Sequence, residues 1–442
     1  MRKWIMLAFV VSTSSVGAQN ATQTEAQSEA PPLASFDTAW SAISRTYFDT
    51  TLVQGRWSAM RDSLRSSLGE SPNIDQVRRA IRTLMALPAQ SHFALIPANA
   101  LPLPSGASRG GAPGTVGLDL RMLADTLVVW RVEAGSAAYT AGMRAGDIVT
   151  HLDTQSVAGL TQRLGAAFPN DPKQSRGLIS QLAMSRVRQN TGDTAVLTVK
   201  GDRGAAHTVR LAHTPIAGQL TRWGNLPPIV VRVTHDSVRL GGRRSPMIPV
   251  IHWSAWFPVI SADIDRALFA VRDAPAVILD LRGNPGGVVG MIGGIAGHFT
   301  DTIVSLGNMY GRGSTLYLRT NPRLVDATGT RRPVISVPVA ILVDGMSASA
   351  SEFFAAGMQG TGRARVFGDA SAGQALPAAM IRLPSGDVLM HPIADHEDSN
   401  GRRVEGVGVQ PDTPAPLSRR ALKAGGDPAL DAARAWLART LH

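Results

Sequence analysis

The sequence predicts a multidomain α+β protein, and three observations carry that reading. Apolar residues recur three and four apart between Phe36 and Leu84, strands alternate with helices from Ile229 onward, and a Pro/Gly-rich break at residues 101–114 precedes a β-rich middle. At 442 residues the chain exceeds one compact core, so several domains are expected. A hydrophobic content of 44% and a mean hydropathy of +0.02 fit a soluble globular class.

The first 18 residues differ from the rest. Arg2 and Lys3 precede the apolar run from Trp4 to Val11, and Val16-Gly17-Ala18 offers a small-residue cleavage site. This reads as a secretory signal peptide, too short to span a bilayer, so the mature chain is expected to be exported, periplasmic or secreted, with no integral membrane segment after signal removal. The absence of cysteine excludes disulfides, a thiolate nucleophile and lipid attachment at a cysteine. The formal charge of +11 loses the two charges of Arg2 and Lys3 with the signal. Of 44 basic residues only Lys3, Lys173, Lys200 and Lys423 are lysine, and the arginines are scattered without a basic stripe. A solvated, Arg-rich surface accounts for them, and nucleic acid is not an expected partner.

Residues 19–34 read as a flexible leader. An N-terminal helical domain follows at 35–100, with Phe36, Trp40, Ile43 and Tyr47 on one helix face and Ile74, Val77, Ile81 and Leu84 on another. It ends near Pro88, and Ser91-His92 sits just beyond. The stretch at 112–214 resembles a PDZ domain. Val116-Gly117-Leu118-Asp119-Leu120 stands where such a domain receives a peptide's carboxyl end, and SAAYTAGMRAGDIVTHLDTQSV supplies the short helix and next strand. The resemblance implies peptide addition to a sheet edge, with Val116, Gly117 and Leu118 as peptide-binding residues. Residues 160–193 are an insertion, read as an added helical lid.

The last domain, 225–442, alternates strand and helix. The buried strand from Ala276 to Leu281 runs into Arg282-Gly283-Asn284-Pro285-Gly286-Gly287, and a second apolar strand, Val339 to Val343, runs through Ser347, Ser349 and Ser351 into a helix near Glu352. In a βαβ crossover both turns lie at the carboxyl ends of neighbouring strands. A serine at a strand-to-helix turn exposes its hydroxyl, and the helix start presents free N–H groups to an oxyanion. Neither GxGxxG nor GxxxxGK[ST] is present, so a nucleotide cofactor is not expected. His391 and His396, with Asp395 and Glu397, lack a third ligand at helical spacing, so no metal is expected.

DLRGNPGG, SASASEFFAAG, RARVFGDASAG and GRRVEGVGVQPD resemble, in order, the segments of the C-terminal-processing or tail-specific serine proteases, whose relatives include the tricorn protease core. The resemblance implies an α/β protease core of crotonase-like ββα sheet. It also implies Ser349 as nucleophile, and an oxyanion hole from the N–H of Ala350 and of Gly286 or Gly287. The substrate would be a polypeptide with a free C-terminus held by the PDZ-like domain, with no cofactor. Where the bacterial enzymes carry the general-base lysine, this chain has Gln374, whose amide cannot take a proton. The tricorn-like branch instead uses a histidine preceded by a serine and oriented by a late glutamate. That maps onto His92 as base, with Ser91 and Glu405 as orienting groups. The alternative is a catalytically silent relative that binds peptides or apolar ligands.

Overall fold

The computed structural model describes residues 32–98, 112–169, 171–201, 205–222 and 228–441. The expected signal peptide and most of the expected leader lie outside them. The first helix, Pro32–Thr46, already begins inside that leader.

The 3.6-residue period of the N-terminal segment forms helices Pro32–Thr46, Ser58–Leu68 and Ile74–Ala86. The last begins at a reciprocal cap: the Gln76 N–H donates to Asn73 Oδ1, and the Asn73 N–H donates to Gln76 Oε1. Phe36, Ile43, Tyr47, Trp57, Val77, Ile81 and Leu84 close a common core. The Trp57 indole N–H, buried in that core, donates to the Leu84 carbonyl. Two features fasten this unit to the C-terminal half. The strand Ala94–Ile96 pairs antiparallel with Val388–Pro392, and Arg78 grips the buried Asp387 through two bonds of 2.8 and 2.9 Å. The segment carrying Ser91 and His92 is therefore held between the helices and the strand Val388–Pro392.

In the middle of the chain the strands Leu118–Leu123, Thr126–Val132, Ile148–Leu152, Thr194–Lys200 and His207–Ala212 pair in that order, all antiparallel. The insertion forms helices Val157–Ala167 and Pro172–Val187. The second is not a lid over this unit. Its Ile179, Ala183, Met184 and Val187 are part of the same apolar core as Leu118, Leu120 and Val129.

The C-terminal sheet runs in the order Val233–Arg239, Met247–Trp253, Val277–Asp280, Val339–Val343, Arg365–Gly368, Thr413–Pro414; the first pair is antiparallel and the rest parallel. All residues of Val277–Asp280 and Val339–Val343 are buried, as continuous apolar runs in a two-sided parallel sheet must be. One face packs on the helix Ala350–Gly360 through Phe353, Phe354, Trp253 and Trp256. The other packs on the closing helix Pro428–Thr440 through Ala433 and Leu437. The Gly-rich stretch after residue 288 is helical only over Ile292–Ala296, with a 3-10 turn before it. Its glycines admit another segment instead: a Cβ at Gly297 would stand 1.7 Å from the Asn321 carbonyl oxygen.

Candidate active site

The crossover places the two turns against each other. The Ala348 N–H donates to the Asn284 carbonyl (3.0 Å), and the Ser347 hydroxyl to that of Leu281 (2.8 Å). Asp344, at the end of its strand, gathers the Gly283 and Met346 N–H groups on Oδ1 and the Arg121 guanidinium on Oδ2. These contacts hold its carboxyl below the usual range despite burial. The three serines then separate by environment. Ser347 and Ser351 are fully buried, and the Ser351 hydroxyl lies between the Asn284 carbonyl and the Trp256 indole N–H. Ser349 is half-buried, at φ 54° and ψ −119°, immediately before the helix Ala350–Gly360. A serine held with positive φ at a strand-to-helix turn is strained by roughly 1–3 kcal/mol, and such strain clusters at functional positions.

Of the proposed oxyanion donors, the Ala350 N–H has no acceptor among the described residues, nor does that of the exposed Gly287. Gly286 differs, because its N–H donates to Asn284 Oδ1 at 3.0 Å. Its contribution is space. At φ 93°, a Cβ there would lie 2.7 Å from Ser349 Cβ and 2.9 Å from the Ala350 nitrogen.

Ser91, His92 and Glu405 are assembled into one hydrogen-bonded chain. The Ser91 hydroxyl donates to Glu405 Oε2 (2.9 Å) and meets His92 Nδ1 at 2.7 Å, while the Ser91 N–H donates to Glu405 Oε1 (2.8 Å). The Ala375 N–H adds a third bond to Glu405 at 2.7 Å. With its proton committed to the carboxylate, Ser91 Oγ accepts from Nδ1–H, which leaves Nε2 unprotonated. His92 sits at φ 60°, again strained for a side-chain-bearing residue. Burial lowers its pKa to about 4, and burial raises that of Glu405 against the pull of its Ser91 and Ala375 donors. Among the described residues no hydrogen bond joins His92 directly to Ser349. The connection runs through residues 374 and 375: the Ser349 N–H donates to the Gln374 carbonyl (2.9 Å), and the next residue holds Glu405.

Glu352 was not singled out by sequence reasoning. It is fully buried and accepts from the Ser349, Gly373 and Gln374 N–H groups and the Ser371 hydroxyl, at 2.6 to 2.9 Å. Burial pushes its pKa up to about 7 while these donors pull it down. The signal was present, since Ser349-x-x-Glu352 is a capping-box spacing. Lys173, in the insertion, reaches the Val407 carbonyl with its ammonium at 3.1 Å, two residues past Glu405.

The expected peptide-binding residues are not presented to a ligand. Val116, Gly117 and Leu118 are all buried; the Val116 N–H donates to the Val187 carbonyl (3.1 Å) and the Gly117 N–H to Thr115 Oγ1 (3.0 Å). The insertion is the physical reason, because its helix ends against this loop. Among the described residues no group of three His, Asp or Glu side chains is placed to hold a metal ion. His391 and His396 are both buried.

Residues 248–415 match the family model "Peptidase family S41". Over 394 residues the chain is 25% identical to carboxyl-terminal-processing peptidase 2, chloroplastic, of Arabidopsis thaliana, covering 86% of this chain and 68% of that protein. It is 26% identical to the carboxyl-terminal-processing protease of Picosynechococcus over 387 residues, 86% and 82% of the two chains. Solved structures share the fold. The photosystem II D1 C-terminal processing protease superposes with a TM-score of 0.58 at 18% identity, over 89% of this chain and 94% of that one. Mature CPAF superposes with a TM-score of 0.60 at 12% identity, over 93% and 97%. Residues 248–415 thus match the S41 peptidase family, the chain is similar over most of its length to carboxyl-terminal-processing proteases, and it is a serine-type peptidase.

Proposed function

We propose that this protein hydrolyses peptide bonds through an acyl-enzyme on Ser349, with His92 as general base and Ser91 and Glu405 orienting it. The observation that carries the reading is the hydrogen-bonded chain His92–Ser91–Glu405, joined to the nucleophile's own N–H through residues 374 and 375. His92 Nε2 takes the Ser349 hydroxyl proton as Oγ attacks the substrate carbonyl. The oxyanion that forms is met by the N–H groups of Ala350 and Gly287, at a helix start where the partial positive charge favours it. The imidazolium, steadied by Ser91 and Glu405, returns the proton to the leaving amine, and water then releases the acyl group.

Gln374 fits this scheme without a proton-transfer role. Its backbone carbonyl accepts from Ser349 and its N–H donates to Glu352 Oε2. A base delivered from the N-terminal unit makes a lysine at this position unnecessary. The pair of charges near the N-terminus, Arg2 and Lys3 before an apolar run, supports action outside the cytoplasm.

A fluorophosphonate probe tests the assignment. Labelling is expected for the wild type and for Leu316→Ala, whose side chain is exposed, and lost in Ser349→Ala and His92→Ala. A wild-type protein that resists the probe and cleaves no unfolded polypeptide would overturn it.

A further inference from the structure

We infer that the middle unit does not capture a substrate's C-terminus, and that Ser349 therefore acts on internal segments of polypeptides; this rests on the reading of Ser349 as nucleophile. The strand Leu118–Leu123 is the end strand of its sheet, the place where an incoming peptide would add. Such addition needs the outward N–H groups of Leu118, Leu120 and Met122, and two of the three are occupied. The Leu120 N–H donates to Met184 Sδ (3.2 Å) and the Met122 N–H to Ser180 Oγ (3.1 Å).

The match is built into the two periods. Four residues of helix rise about 6 Å and two residues of strand about 6.7 Å, so Ser180 and Met184 on one helix face meet alternate amides of a strand running the opposite way. At the carboxylate end the same helix supplies the Val187 carbonyl to the Val116 N–H, and Thr115 Oγ1 takes the Gly117 N–H. Gly117 is also closed from the other side, since a Cβ there would stand 2.1 Å from Ser136 Cβ.

The helix Pro172–Val187 is a fixed occupant. Its Ile179, Ala183, Met184 and Val187 are core residues, so lifting it would expose them along with Leu118 and Leu120. An incoming strand would supply edge hydrogen bonds in exchange, and two of these are already made. The helix is also tethered at its other end, where Lys173 donates to the Val407 carbonyl beside the turn that carries Glu405. Substrate affinity then comes from the surface around Ser349, and a free terminal carboxylate contributes nothing to it.

The test uses matched peptides with apolar C-termini, each as the free acid and as the amide, on the full chain. Wild-type kcat/KM is expected to agree within about twofold between the two forms, and fluorescence anisotropy with the Ser349→Ala chain is expected to show equal affinity. Hydrogen exchange across residues 172–187 is expected to stay unchanged on adding the acid. A free acid that binds about tenfold tighter, or that protects residues 116–122 while exposing 172–187, would overturn the inference. If neither form is cleaved, the catalytic reading fails, and the binding and exchange measurements still decide this one.

Discussion

Ser91 and Glu405, 314 residues apart in the chain, meet twice: the Ser91 N–H donates to Oε1 at 2.8 Å and its hydroxyl to Oε2 at 2.9 Å. This paired contact fixes both the position of the His92 backbone and the tautomer of its ring. Glu405→Gln places an amide N–H₂ against the donors from Ser91 or Ala375, and the Ser91 hydroxyl loses its carboxylate partner. We expect kcat to fall by about 10²–10⁴ with KM little changed, while the chain stays folded. Steady-state kinetics beside circular dichroism check this. An equal loss in kcat and in thermal stability would mark Glu405 as a structural residue only.

Glu352 gathers donors only, among them the Ser349 N–H. Glu352→Gln turns an N–H₂ toward one or more of them, leaving buried donors unpaired at about 1–3 kcal/mol each. Both a lower urea midpoint and a loss of Ser349 labelling are expected. Retention of full labelling would show that residues 371–374 hold the nucleophile without this carboxyl.

Gly286→Ala introduces a Cβ within 2.7 Å of Ser349 Cβ at a φ of 93°. The Ser349 turn must shift, and a displacement of that kind beside the reacting atom is expected to lower kcat at least about 100-fold. A crystal structure of the variant with Ser349 unmoved and activity intact would contradict the placement.

Three protonation equilibria set the pH dependence. Burial lowers the His92 pKa to about 4, and the neutral ring is the proposed base, so the acid limb of kcat/KM is expected near pH 4, well below the ordinary histidine value. His396, buried with neither ring nitrogen hydrogen-bonded among the described residues, is also lowered to about 4 by its burial. The folded values lie below the unfolded one, so protons bind the unfolded chain first. This stability is complete above about pH 6.5 and lost as pH falls toward 4, by up to about 3 kcal/mol for His396. Glu352, raised to about 7, works the other way: its contribution is complete below about pH 4.5 and lost as pH rises through 7. Urea midpoints at acid and neutral pH for wild type and His396→Leu check the first claim; an unchanged acid slope in the variant would refute it.

Much of the site was legible because it is local. Ser349 stands out from Ser347 and Ser351 once the motif order of the resembled family is seen; in the structure Ser347 and Ser351 are fully buried. The strand, turn and helix around it follow from an apolar run meeting small residues. The role of Glu352 was readable from capping-box spacing and was overlooked. Lys173 was not readable, because nothing in a surface helix states which distant carbonyl its ammonium will reach. The closed edge at Leu120 and Met122 was hidden for a related reason. A helical insertion is visible as periodicity, but whether it stands off a strand or lies on it depends on side chains meeting across the fold.

By itself the sequence determined the strand–turn–helix that exposes Ser349, the glycine turn beside it and the loss of a lysine at position 374, since each follows from residue chemistry within a short stretch. Only the tertiary structure decided that Glu405 and Ser91 meet at His92, that Gly286 contributes space while Gly287 keeps its N–H open, and that the helix Pro172–Val187 fills the peptide edge. Those outcomes are set by long-range packing, where the hydrogen-bond partners of a buried amide or carboxyl come from segments hundreds of residues away.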